Sequence, residues 1–181
     1  MELTVTYILS QVFTIVMYVF IALTYYAKDR KNVLILNSIG STAQGISYIF
    51  LNAWTGFGTC IISLIRNLTF LLDEKINGKR ENINKTDIIT LVLLCVISII
   101  LSVFTYEGFF SLFSVFATML YTYSACQKKI NIYKLLGIPN SILWLIYNIY
   151  VMSIFGIILE SILLICTIIG YILEVRKNNT Q

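Results

Sequence analysis

The sequence predicts an all-α membrane protein whose seven transmembrane helices form two parallel three-helix bundles plus a connector helix. Three observations predict it. The chain of 181 residues is 58% hydrophobic and 12% charged, too little polar surface to cover a soluble domain of that size. Its apolar residues fall into seven runs, each of a length suited to a hydrocarbon layer of ~30 Å. Lysine and arginine collect in alternate connections only, the asymmetry that distinguishes the cytoplasmic face of a membrane.

The runs cover residues 7–26, 33–51, 56–72, 88–104, 109–126, 133–152 and 154–173. The first begins in MELTVTYILS, which lacks the basic start of a cleavable signal peptide, so this span is expected to stay attached. The connections after runs one, three, five and seven hold Lys28, Arg30 and Lys31; Lys75, Lys79, Arg80 and Lys85; Lys128 and Lys129; Arg176 and Lys177. The connections after runs two, four and six, around NAWTG, TYEG and MSIFG, hold no Lys or Arg. The expected topology is therefore amino end outside and carboxyl end cytoplasmic. The stretch DEKINGKRENINKTD, residues 73–87, mixes both signs of charge without apolar periodicity and reads as a solvated cytoplasmic linker.

Sliding the chain by about one hundred positions places Phe13 on Phe113, Lys28 on Lys128, Ser41 on Ser141 and Gly56 on Gly156. Spans, interrupting loops and the first basic loop coincide without a gap, so residues 7–72 and 109–173 read as two three-helix repeats. Residues 88–104 are then a lone connector helix. Since a triplet is odd in number, one inverting connector leaves both triplets in the same orientation, a repeat arrangement known among transporters.

In LLGIPNSILWLIYN, residues 135–148, Asn140, Trp144 and Asn148 recur at four-residue spacing and share one helical face. Under the repeat their partners are Gly40, Gln44 and Tyr48. Two related helices thus turn matching polar or aromatic stripes the same way, which predicts a cavity between the triplets. The alternative is that these amides hold helix to helix, an interaction averaging ~0.6 kcal/mol. Pro139 deprives the Leu135 carbonyl of its helical donor, so the helix is expected to kink near Gly137, as a hinge or as a fixed bend.

Two charges stand inside apolar runs. Arg66, in IISLIRNLTF, is about ten residues below the outer end of its span, ~15 Å at the helical rise, and Asn67 adds an amide beside it. Glu160, in GIILESILL, lies about one turn below the outer end of the last span. A charge at the centre of a membrane helix costs ~2.5–3.5 kcal/mol even on the gentlest scale, so such residues usually face a path or site. The alternative is that both side chains reach the headgroups. A depth difference of six residues, ~9 Å, argues for a filled gap between the two rather than a direct bridge.

Other chemistries lose their usual players. Histidine is absent, which removes the commonest general base and metal ligand. Cys60, Cys95, Cys126 and Cys166 lack the close spacing of metal or disulfide frameworks and read as small hydrophobes. Asn67 and Asn84 match the glycosylation pattern but fall in a span and in the cytoplasmic linker. No catalytic residues, metal or cofactor are expected, and the net charge of +4 is read as topology rather than as affinity for nucleic acid.

GFGTCIISLIRNLTF in the first half and LWLIYNIYVMSIFGIILESILLICTIIGY in the second resemble the bacterial inner-membrane YgjV family. The plan of two triplets and a connector is similar to that of SWEET sugar facilitators and PnuC-type vitamin transporters. This resemblance implies an inner-membrane location and a central site walled by Trp144 and Asn148. SWEET bundles carry paired prolines, whereas this chain has Pro139 alone. The expectation is a transporter of a small polar solute, sugar- or vitamin-like, with Gln44, Tyr48, Arg66, Asn67, Asn140, Trp144, Asn148 and Glu160 at the solute, Arg66 attracting an anionic or strongly polar group of it, and Pro139 as hinge. Its other partner is the lipid bilayer, and a homo-oligomer is compatible with the plan. The alternative is a non-transporting interaction or sensor protein whose stripes bind a partner helix, and an intramembrane enzyme built around Glu160 comes third.

Overall fold

The computed structural model describes residues 5–24, 30–78, 83–126 and 130–179. Among them stand seven α-helices: α1 (Val5–Thr24), α2 (Arg30–Phe50), α3 (Trp54–Asn77), α4 (Lys85–Phe104), α5 (Leu112–Cys126), α6 (Ile130–Tyr150) and α7 (Ile154–Asn179). A single 3-10 turn, Phe109–Ser111, leads into α5, and no strand occurs among the described residues. The basic residues Lys28, Lys79, Arg80, Lys128 and Lys129 lie outside the described residues, as does Tyr26 at the end of the first expected span.

Five helices, α1 to α5 with the 3-10 turn included in the fifth, are long and apolar enough to cross a membrane. In α6 and α7 the apolar portions among the described residues are shorter, Leu135–Tyr150 and Ile154–Ile169, although the helices themselves run 21 and 26 residues. Burial is inverted relative to a soluble protein. Side chains such as Ser10, Gln11, Thr14, Ser47, Thr118 and Ser124 are buried, while isoleucines and valines along α1, α4 and α7 face outward. That apolar exterior suits acyl chains, where apolar contact alone does not drive helices together.

Small hydroxyl residues make the interior possible. Thr118 and Thr122 donate to the carbonyls of Ser114 and Thr118, at 2.9 and 2.7 Å. Each hydroxyl is thereby satisfied within its own helix, and α5 offers a face of small residues that lets α3, α4 and α6 approach. α2 packs between α1 and α3, and α6 between α5 and α7. α3 meets α5 and α1 meets α7, closing a ring, with α4 outside it against α3 and α5.

The corners α2–α3 and α6–α7 repeat in atomic detail. Asn52 has φ 55° and Met152, 100 positions later, has φ 57°. The Ala53 amide donates to the Tyr48 carbonyl at 2.9 Å, and the Ser153 amide to the Asn148 carbonyl at 3.0 Å. These corners and the α4–α5 loop lie together at one end: Tyr7 Oη donates to the Met152 carbonyl, Thr55 Oγ1 to that of Thr105 and Tyr150 Oη to that of Glu107. The opposite end carries the α3–α4 linker.

That linker is shorter than the expected 73–87. α3 continues to Asn77 and stops where Gly78 adopts φ 72°, a conformation that costs glycine little. α4 begins at Lys85 because Asn84 and Asp87 form a capping box: Asn84 Oδ1 accepts from the Lys85 amide at 2.7 Å, and Asp87 Oδ2 from the Asn84 amide at 2.9 Å. Asn84, a glycosylation match in the sequence, is a helix cap.

Candidate functional site

The ring of helices encloses a cavity of about 560 Å³. Gln44 and Tyr48 reach it from α2, Arg66 from α3, Asn140, Trp144 and Asn148 from α6, and Glu160 from α7. Their four-residue spacing within each helix keeps the residues of α2 and of α6 on one face. Asn67 and Pro139 are not in the wall. Asn67 is buried behind it, where its Oδ1 accepts from Arg66 Nε at 3.3 Å. Pro139 is exposed on the outer side of α6, which continues unbroken through it. Leu136, Gly137 and Asn140 line the wall around that turn, and at Gly137 α7 comes so close that an added Cβ would stand 3.2 Å from Thr167 Cγ2.

At the corner end an aromatic cluster closes the cavity. Tyr48 and Tyr147 are fully buried, and their rings meet edge to face at 5.5 Å. Trp144 stacks on Tyr48 at 6.4 Å with 10° between planes. Ala53, Phe57 and Phe113 pack against the same cluster. Toward the linker end the wall extends to Thr24, Val33 and Ser124, near the ends of α1, α2 and α5.

Both intramembrane charges are held by neighbours. Tyr18 Oη, on α1, donates to Glu160 Oε2 at 2.6 Å, and the Ser141 hydroxyl of α6 makes a second hydrogen bond to that carboxylate. Arg66 Nη1 donates to Thr122 Oγ1 at 3.4 Å, and its Cζ lies 4.4 Å above the Tyr121 ring, within cation–π range. Gln44 Oε1, Asn140 Oδ1 and Asn148 Oδ1 are buried with no hydrogen-bond partner from the protein. Such orphan acceptors in a polar wall call for water or a ligand group as donor.

Sequence reasoning did not name Tyr18, Tyr121, Thr122 or Tyr147. Tyr18 was open to discovery, because Gln11, Thr14 and Tyr18 recur at three- and four-residue spacing on α1 and all are buried. Thr122 belongs to the Ser114–Thr118–Thr122 stripe of α5 in the same way. Tyr147 falls within the Trp-Leu-x-Tyr-Asn pattern, residues 144–148, that carries the family resemblance, but it stands outside the four-residue spacing of Asn140, Trp144 and Asn148.

The chain matches the family of bacterial inner membrane proteins designated Imp-YgjV over residues 8–178. It belongs to that family. No curated protein and no solved structure matches it. The YgjV family match runs from α1 to α7, so the cavity and all of its wall fall within the matched residues. The lipid-facing exterior agrees with a membrane location.

Proposed function

We propose that this YgjV-family protein is a facilitator that carries a small polar solute across the inner membrane by rocking of two three-helix bundles. α1–α3 form one bundle, α5–α7 the other, and α4 is the connector. The observation that carries the reading is the convergence of polar side chains from both halves on one cavity whose corner end is shut by aromatic rings. Its volume of about 560 Å³ falls within the ~300–1,000 Å³ usual for small-molecule sites. With basic connections on the cytoplasmic side, the cavity points inward.

The wall also suggests a solute class. Arg66 and Glu160 both reach the cavity, and each is engaged by neighbouring side chains. Together with the amides they offer hydrogen-bond donors and acceptors from both halves, which suits a small polar solute. Trp144, only partly buried, offers a ring face, and the amides supply hydrogen bonds. A sugar- or vitamin-sized molecule has that character.

The interaction or sensor reading needs Gln44 and Asn148 to face lipid, but they are 4% and 2% exposed. No catalytic role is assigned to Glu160.

The test begins with metabolomic comparison of cells with and without the protein. Compounds that change are then assayed for flux into proteoliposomes of the full chain. Trp144→Ala and Asn148→Ala are expected to lower flux roughly tenfold or more, as loss of ~1.4 kcal/mol of solute binding implies, while both variants remain monodisperse. Wild-type flux in both would defeat the proposal.

A further inference from the structure

Two side chains at the corner end join one half of the ring to the other, and they do so by the same device. Across the α3–α5 seam, Glu107 in the α4–α5 loop accepts the Trp54 amide through Oε1. Across the α1–α7 seam, Gln11 of α1 accepts the Phe155 amide through Oε1 at 3.0 Å. Trp54 and Phe155 lie in the first turns of α3 and α7, which are equivalent under the 100-residue repeat seen in Asn52 and Met152. The first amides of a helix have no partner within it. In both triplets the third helix has this vacancy filled by the opposite half.

Further contacts strengthen both seams. Thr55 Oγ1 of α3 donates to the Thr105 carbonyl and Tyr7 Oη of α1 to the Met152 carbonyl at 3.0 Å, while Tyr150 Oη, on the same side of the seam as Glu107, donates to the Glu107 carbonyl at 2.6 Å and steadies that loop. All of these bonds lie above the Tyr48–Tyr147–Trp144 cluster that closes the cavity. Separation of the halves at this end must break the seam-crossing bonds of Trp54, Thr55, Phe155 and Tyr7 before the rings can part.

We propose that Glu107 and Gln11 are paired latches that hold the corner-end gate shut, so the equilibrium between the two faces is set by two helix N-terminal caps. Glu107 is the stronger latch, because a carboxylate at a helix N-terminus makes a charge-assisted bond aligned with the helix dipole. This inference rests on the transport reading for its purpose, but its geometry can be tested without a solute.

Cys60 is the reporter. It is 5% exposed, lines the cavity and packs in the closing cluster. The full chain, with Cys95, Cys126 and Cys166 changed to Ala, is placed in sealed vesicles of known orientation. A membrane-impermeant methanethiosulfonate is then added from either side. From the corner end, Cys60 is expected to react slowly in the parent and roughly tenfold faster in Glu107→Ala or Gln11→Ala, the effect of losing one such bond. The double variant is fastest. Reaction from the linker end falls as the other rises. Thr69→Ala removes a hydroxyl bonded only to the Ile65 carbonyl within α3 and leaves both rates unchanged.

Corner-end labelling that stays at the parent rate in both variants overturns the latch, as does acceleration from both sides together, which marks general loosening. Solute flux measured on the same vesicles separates the two proposals. Flux with latch-independent labelling overturns the latch alone, whereas latch-dependent labelling without flux of any candidate solute supports the latch and removes transport.

Discussion

Gly56 and Gly156 each stand four residues after a left-handed corner residue, Asn52 and Met152, and each is pressed against a residue of the cavity region. A Cβ on Gly56 would stand 2.5 Å from Tyr147 Oη and 2.8 Å from Tyr48 Cδ2; on Gly156 it would stand 2.6 Å from Asn148 Oδ1. Overpacking of this kind costs ~1–3 kcal/mol. Gly56→Ala is therefore expected to lower Tm in detergent, and Tyr147→Phe, which removes the nearest atom, to restore part of the loss. Gly156→Ala is expected to displace Asn148 and weaken solute binding as well as stability. A second residue-scale test concerns Glu160. Tyr18→Phe removes a donor from a buried carboxylate, at a cost of roughly 1–3 kcal/mol. In a Glu160→Gln background the same change should cost clearly less, and a double-mutant cycle on Tm measures the difference. Equal costs in both backgrounds would show that the 2.6 Å contact is no stronger to the carboxyl of Glu160 than to the amide oxygen of a glutamine.

At the scale of elements, the α4 capping box and the proline of α6 make separable predictions. Asn84→Ala is expected to cost ~0.5–2 kcal/mol and to speed amide exchange in the first turn of α4, leaving the cavity intact because Asn84 is not in its wall. If Pro139 is a hinge, Pro139→Ala, which returns a backbone donor to the helix interior, should slow solute exchange without lowering Tm. Unchanged exchange would make Pro139 a packing feature of the outer side of α6, where its exposure places it. The helices themselves were largely legible, since long apolar runs admit few other structures in lipid. Their ends were less so. Charge pattern alone marks the linker but does not show the Asn84–Asp87 box or the Gly78 stop, which depend on local backbone geometry. The stripe of Gln44, Tyr48, Asn140, Trp144 and Asn148 was legible because helical period maps spacing directly onto a face. Asn67 was not, because a residue adjacent to Arg66 in sequence points about 100° away and can only support it from behind.

For the whole molecule, orientation is the first quantity to fix. A reporter fused after Gln181 is expected to be cytoplasmic and one fused before Met1 external, as the distribution of Lys and Arg requires; phosphatase and fluorescent reporters distinguish the two sides. Long-range partners such as Tyr18 with Glu160, 142 positions apart, and Gln11 with Phe155, 144 apart, were beyond the reach of spacing rules because they depend on how the ring closes. The repeated corner adds a consequence of its own. Asparagine tolerates a left-handed backbone better than most residues, yet the second corner asks the same of a methionine, at φ 57°, a burden of ~1 kcal/mol. Met152→Asn or Met152→Gly should relieve it. Because Met152 lies outside the cavity wall, this substitution offers a sturdier protein for purification without altering the chamber.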